Sequence, residues 1–290
     1  MDSAAEFFAR AEGPTRSLRF ARELERLPDD IGGIVEVVQG LLMHESWAGA
    51  YGSSVDPRRQ DHKHERSVDA MLQWLEGPEG LMAGEERPPA GRFVCVCRHF
   101  AVLAVAILRA KGQPARARCG FAGYFDRSYF CDHWVVEYFD RHEGWRLADA
   151  QLDPLQVRKL GVRFDPLDVP RNQFIIAGSA WQLARDGEMD PGQFGFFDER
   201  GYGFIGSNVV RDAAALVKAE MLPWDDWAPM PAIEREPTAE QFAFFDQLAE
   251  LTLSPDARLG ELRQMHAPGE ALELPREVFN AIRQRSEAVS

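Results

Sequence analysis

The sequence predicts an α+β fold: a central buried helix on a small antiparallel sheet, with helical additions at both ends. Three observations carry this. The opening stretch repeats apolar residues at helical spacing, with Val68, Met71, Leu72 and Leu75 as one stripe and Ile34, Val37, Val38, Leu41 and Leu42 as another. The run from Phe100 to Leu108 is apolar nearly all round, as a helix buried on every side requires. Three runs rich in strand formers then follow, Ala115 to Phe125, His133 to Phe139 and Trp145 to Ala148, joined by short polar loops that favour antiparallel neighbours.

The Val68 stripe is expected to stop at Gly77-Pro78, and Gly77 to Gly91, rich in Gly, Pro and Glu, reads as a loop. The central helix is expected to end at Lys111-Gly112-Gln113-Pro114, where a glycine leaves the helix and a proline bars its return. Beyond Pro154 the glycines 187, 192, 195, 201, 203 and 206 predict loops and short strands wrapped around the core. A helix is expected over Asn208 to Met221, then a linker at Pro229, Pro231 and Pro237. Thr238 and Gln241 form a capping box ahead of Phe242, Phe245, Leu248 and Ala249, so the tail reads as helical. The expected division is one domain over 1–230, with its motif core in 91–154, and a helical extension over 231–290.

The chain has 290 residues, 45% of them hydrophobic, enough for a sizeable core. Its 33 Lys and Arg against 46 Asp and Glu give a net charge of −13. That surface repels phosphate backbones and anionic lipid, so neither nucleic acid nor a membrane is an expected partner. The start, Met1 to Glu6, has neither a basic nor an apolar signal region, and the longest apolar run, Ala101 to Leu108, is far below the roughly 20 residues of a membrane helix. With four cysteines and no export signal in view, reduced thiols and a cytoplasmic location are expected.

The chemistry is expected at three residues. Cys97 opens the apolar helix, His133 heads a strand, and Asp149 closes one. A thiol, an imidazole and a carboxylate make a nucleophile, a base and an orienter. The helix N-terminus and a nearby imidazolium both stabilise a thiolate. Asp149 would fix the ring tautomer, and the Cys97 N–H would serve as one oxyanion donor. No cofactor and no metal are expected. Cys95, Cys97, Cys119, Cys131 and His133 offer enough ligands for zinc, but their spacing matches no common zinc ribbon, and ligation would consume the nucleophile. His62-Lys63-His64 reads as a solvated helix face. Arg98 and His99 fit a cleft mouth and a solvent-facing helix surface equally. Cys119 and Cys131 could face each other across a hairpin without bonding. Arg211-Asp212 and Trp224-Asp225-Asp226-Trp227 read first as packing and second as cleft lining.

These residues also carry a resemblance. Gly91, Cys97-Arg98-His99-Phe100-Ala101, then Leu108-Arg109-Ala110, Gly112 and Pro114-Ala115-Arg116, then His133-Trp134-Val135-Val136-Glu137, and Gly144-Trp145 with Asp149, resemble the core of the transglutaminase-like superfamily. The resemblance covers about a fifth of the chain, Gly91 to Pro154. It implies a papain-like fold and Cys-His-Asp acyl chemistry on a small-molecule or peptide acyl substrate. Its members include cross-linkers, peptidases, amidases, amide-forming acyltransferases and proteins that have lost activity. No calcium-binding or β-sandwich module of the animal cross-linkers is readable, so protein cross-linking is not expected. Two other classes compete: an inactive binding protein for a peptide or protein partner, and a zinc-stabilised module. The acyl donor, the acceptor and the oligomeric state are not encoded in any motif.

Overall fold

The computed structural model describes residues 3–77, 86–233 and 235–289. The chain forms two compact units, Met1–Ala117 with Val135–Val169, and Arg118–Trp134 with Pro170–Ser290.

The first unit holds α1 (Ala4–Ala9), α2 (Ala21–Glu25), α3 (Ile31–Leu41), α4 (Val68–Leu75) and α5 (Cys97–Ala110). The predicted α4 stripe is the buried face, with Val68, Met71, Leu72 and Leu75 inside; in α3, Ile34, Val38 and Leu41 are buried together with Val35, while Val37 is half-buried. Leu42 has left the helix. It begins β1 (Leu42–His44), which pairs in parallel with β2 (Phe93–Cys95). Three-residue strands are too short for a period-2 signal, so this pair was not legible. Of the loop expected over Gly77 to Gly91, residues 78–85 lie outside the described residues; 89–91 form a short 3-10 turn.

Helix α5 packs against α1, α2, α3 and α4, and every residue from Cys97 to Arg109 is buried. It ends as predicted. Gly112 adopts φ +69°, its N–H donates to Arg109 O at 3.0 Å, and Gln113 N–H donates to Leu108 O at 3.0 Å, capping the last carbonyls. Arg109 is carried inside by its acceptors: Nε donates to Phe8 O and Ala115 O, and Nη1 to Thr15 Oγ1 at 2.7 Å.

Strands β3 (Ala115–Ala122) and β4 (Phe130–Asp140) each have residues in both units. In the first unit β4 pairs antiparallel with β5 (Gly144–Ala148), from Val136↔Ala148 to Asp140↔Gly144. Three motif residues meet there. Arg116 Nε donates to Glu137 Oε2 at 2.7 Å, both side chains buried, and the guanidinium lies 3.8 Å from the Trp145 ring centroid. The arginine of one motif, the glutamate of the next and the half-buried tryptophan of the third thus form a single brace. After β5 comes α6 (Pro154–Leu160), capped by Asp153.

The second unit contains β6 (Phe174–Ile176), α7 (Ala177–Arg185), β7 (Phe194–Phe196), β8 (Glu199–Arg200), α8 (Tyr202–Leu216), β9 (Asp225–Asp226), α9 (Ala239–Leu253), α10 (Pro255–Met265), β10 (Glu277–Asn280) and β11 (Arg285–Ala288). Its sheet runs β6-β3-β4-β7-β8, and it is not wholly antiparallel: β7 joins β4 in parallel at Phe130↔Phe194. Helices α7, α8 and α9 pack on one another around Trp181 and Phe245. Gly203 and Gly206, expected to punctuate loops, lie inside α8, which begins earlier than the predicted Asn208. The reason is space, not turning: a Cβ on Gly203 would meet Ala232 O at 2.6 Å. The Thr238–Gln241 capping box opens α9 as predicted, and α10 follows. The tail adds what the sequence did not announce, a β10–β11 hairpin paired to β9. Among the described residues no helix is long and apolar enough to cross a membrane.

Candidate active site

Cys97 is the first residue of α5, directly after β2 and the extended residue Val96. No side chain caps this N-terminus, and its first turn holds no acidic residue. The thiol is buried, with 7% of the residue exposed. Cys95, two residues earlier on β2, is the instructive neighbour. It is wholly enclosed, and burial pushes its thiol well above the ordinary range. Of these two thiols, Cys97 is the one that stands at a helix terminus and keeps some exposure.

Asp149 follows β5 in the same unit and is fully buried. Its Oδ1 accepts the Gln151 N–H at 2.9 Å, and its own N–H donates to Pro166 O at 2.8 Å. The β4–β5 register, with Val136 opposite Ala148, sets the height at which the chain reaches Asp149.

His133 belongs to the second unit, in the first half of β4, and is buried. Three rings meet its imidazole edge to face: Phe125 with centroids 4.8 Å apart, Tyr124 at 6.0 Å and Phe174 at 6.3 Å. These aromatics were not singled out in the sequence. A turn ending a strand with Tyr124-Phe125 carries too little pattern to reveal them.

Asp132 is the neighbour of His133 along the chain. Its carboxylate accepts Asn208 Nδ2–H at 2.7 Å. Burial holds its pKa above the usual carboxylate range, against the lowering influence of Arg211, Asn208 and His133. The side chain leans on α8, whose Arg211 donates to Asn208 Oδ1 at 3.1 Å and to Asp225 O at 3.1 Å.

Several expectations are corrected. Arg98 and His99 are neither solvent-facing nor at a mouth; both are fully buried on the all-round apolar helix. The His99 Nε2 lies 3.0 Å from Glu65 O, and burial keeps the imidazole neutral, its pKa well below the usual range. His62-Lys63-His64 is not a solvated face, since both histidines are buried at the end of the 3-10 helix Pro57–His64. His62 is stacked 4.8 Å from Phe93 with Trp74 also beside it at 4.2 Å, and burial, aided by the Arg59 charge, pushes its pKa down to about 4.

No disulfide joins the four cysteines. Cys119 N–H donates to Asp212 Oδ1, and burial pushes the Cys131 thiol up to about 12. Arg211-Asp212 is packing. Asp212 takes Arg118 at two points, 3.0 and 2.8 Å, and Arg118 also donates to Thr252 O. In the tryptophan-flanked pair, Asp225 is buried and accepts Leu222 N–H at 2.8 Å. Among the described residues no three His, Cys, Asp or Glu side chains gather as metal ligands.

Residues 90–150 match the family model of the transglutaminase-like superfamily, the segment that carries Cys97, His133 and Asp149. No curated protein matches the chain. Among solved structures, a protein of Cytophaga hutchinsonii provisionally assigned as a cysteine protease aligns at 17% identity with a TM-score of 0.35, covering 61% of this chain and 46% of its own.

Proposed function

With a transglutaminase-like core over residues 90–150 as premise, we propose that this protein is a cysteine enzyme that cleaves or transfers acyl groups through a Cys97 thioester. The observation that carries the reading is the placement of Cys97. It is a minimally exposed thiol at an uncapped helix N-terminus with no carboxylate in the first turn. Partial positive charge there favours a thiolate.

In this reading His133 takes the Cys97 proton and Asp149 accepts the other ring N–H, fixing the tautomer and stabilising the imidazolium. Sulfur attacks the carbonyl carbon of an amide or thioester. The negative oxygen is met by the Cys97 backbone N–H. Collapse breaks the bond to the leaving group, which His133 protonates when it is an amine. Water or an acceptor amine then gives a proton to His133 and attacks the thioester, releasing Cys97. The aromatic rings around His133 support this role by limiting water at the imidazole. The acidic surface, net −13, favours small-molecule or peptide substrates over nucleic acid. Four thiols without a disulfide fit a reducing compartment such as the cytoplasm.

The test is to trap the acyl-enzyme. The protein is mixed with an activated ester, quenched in acid, and mapped by mass spectrometry. An acyl mass on Cys97, absent from Cys97→Ala, is the expected result. Ester turnover in Cys97→Ala equal to that of the parent would mean that another nucleophile operates, and an inert Cys97 without turnover would favour a binding protein built on the same core.

A further inference from the structure

The turn after Asp149 is unusual for a loop. Loops normally keep to the surface because their backbone polar groups need water. Here Asp149, Ala150, Gln151, Leu152 and Asp153 are all buried. Hydrogen bonds replace the water. Gln151 N–H donates to Asp149 Oδ1 at 2.9 Å, and Gln151 O accepts Asp153 N–H at 2.8 Å. Gln151 Nε2 donates to Gln156 Oε1 at 3.2 Å, and Gln156 Nε2 donates to the Tyr51 hydroxyl oxygen at 3.0 Å. The Tyr51 hydroxyl donates to Asp153 Oδ2 at 2.6 Å, and Asp153 Oδ1 accepts Gln156 N–H at 2.8 Å.

The direction of every bond follows from one carboxylate. Asp153 can only accept, so the Tyr51 proton must point to it, and Tyr51 must then accept from Gln156. Gln156 spends its amide there and offers its oxygen to the amide of Gln151. That leaves Gln151 Oε1 as the group without a donor among the described residues, in a side chain with the whole residue 2% exposed. Burial and the Asp153 bond also hold the Tyr51 hydroxyl protonated, its pKa raised. A leucine at 151 would fill the space without burying an unsatisfied oxygen. A fold that keeps glutamine there holds the amide for its geometry.

We propose that Tyr51, Gln156 and Asp153 lock the Gln151 segment, and that this lock positions the Asp149 carboxylate by pinning its Oδ1. Tyr51 and Gln151 are then positioning residues, reaching the chemistry through Asp149. The inference rests on the reading of Asp149 as orienter.

The experiment needs no substrate. In full-length protein carrying Cys131→Ser, so that the half-buried Cys131 thiol does not compete, the rate of iodoacetamide labelling at Cys97 is measured by mass spectrometry from pH 4 to 9, alongside the melting temperature. Four proteins are compared: the parent, Asp149→Asn, Tyr51→Phe and Gln151→Leu. Tyr51→Phe removes one oxygen and keeps the packing. Its labelling rate at pH 6 is expected to fall about 3- to 10-fold, at or below the low end for outer partners of functional groups, with the pH midpoint moved up as in Asp149→Asn. Gln151→Leu should do the same. If Asp149→Asn moves the midpoint while Tyr51→Phe and Gln151→Leu change only the melting temperature, the network is packing and the proposal is overturned with the triad intact. If Asp149→Asn itself leaves the profile unmoved, the reading of Asp149 fails and the proposal falls with it. Should Gln151→Leu not fold, Tyr51→Phe decides alone.

Discussion

Two aspartates of the motif region, the buried Asp149 and the half-buried Asp132, are held in opposite ways. Asp149 follows β5 in the first unit, anchored through its own N–H to Pro166 and through Oδ1 to Gln151, whose side chain opens a chain of hydrogen bonds through Gln156 and Tyr51 to Asp153. Asp132 is the chain neighbour of His133 in the second unit, and its contact is a carboxamide of α8 in the field of Arg211. Successive residues of a strand point to opposite faces, so Asp132 and His133 diverge although they are adjacent. The difference teaches that partners in space, not neighbours in the chain, decide how a carboxylate is held. Asp149 is fixed by backbone groups of its own unit, Asp132 by a side chain of α8.

A third carboxylate, the buried Glu137, calibrates the comparison because it pairs with Arg116 inside the first unit. Glu137→Gln strands the buried Arg116 guanidinium and should cost about 3–5 kcal/mol of stability in denaturant titrations. In protein that still folds, the pH profile of Cys97 labelling should not move; a moved profile would blur the distinction between brace and site. Asp149→Asn should do the reverse. Acyl turnover falls about 10- to 1,000-fold, roughly 1.4–4 kcal/mol of barrier, while the melting temperature changes little, because an amide of the same shape keeps the turn. Unchanged turnover would make Asp149 an ordinary turn residue.

Asp132→Asn should change turnover by less than about 3-fold. A loss as large as that of Asp149→Asn would transfer the orienting role to Asp132. Its effect should appear instead in the pH dependence of folding. The folded pKa of Asp132 is raised, so its stabilising contribution is complete below the unfolded value and is lost as pH rises through the folded one. His62 has the opposite sign. Its folded pKa of about 4 lies below the ordinary 6.5, so the unfolded chain binds a proton the fold refuses, and stability falls as pH drops between those values. Urea midpoints measured from pH 4 to 7 should show a slope that His62→Phe reduces, with His99 supplying a part that remains. A slope unchanged by His62→Phe would mean that His62 is not held neutral.

The legible parts of the sequence were those whose signal repeats. The Val68 stripe, the all-apolar run around Leu103, the Gly112 stop and the Thr238 cap each became the element predicted, because period, stop and cap are local physics. The motif spacing around Cys97, His133 and Asp149 was also local, and the family match covers it. What stayed hidden depends on distant partners. Gly203 is small because Ala232 presses on α8, and His62 is dry because Phe93 and Trp74 cover it. Tyr51 lies about a hundred residues from Asp153 in the chain, and no spacing rule joins them. The β9–β10–β11 sheet escaped for the same reason, since strands of two to four residues carry too few alternations.

The central claim is that Cys97 is a thiolate nucleophile sustained by His133, and the labelling rate of Cys97 between pH 4 and 9 in the parent and in His133→Ala tests it most directly. The parent should label rapidly well below the ordinary thiol pKa of about 8.5, and His133→Ala should lose that acidic limb. Two identical curves rising together near the ordinary thiol pKa would contradict the claim.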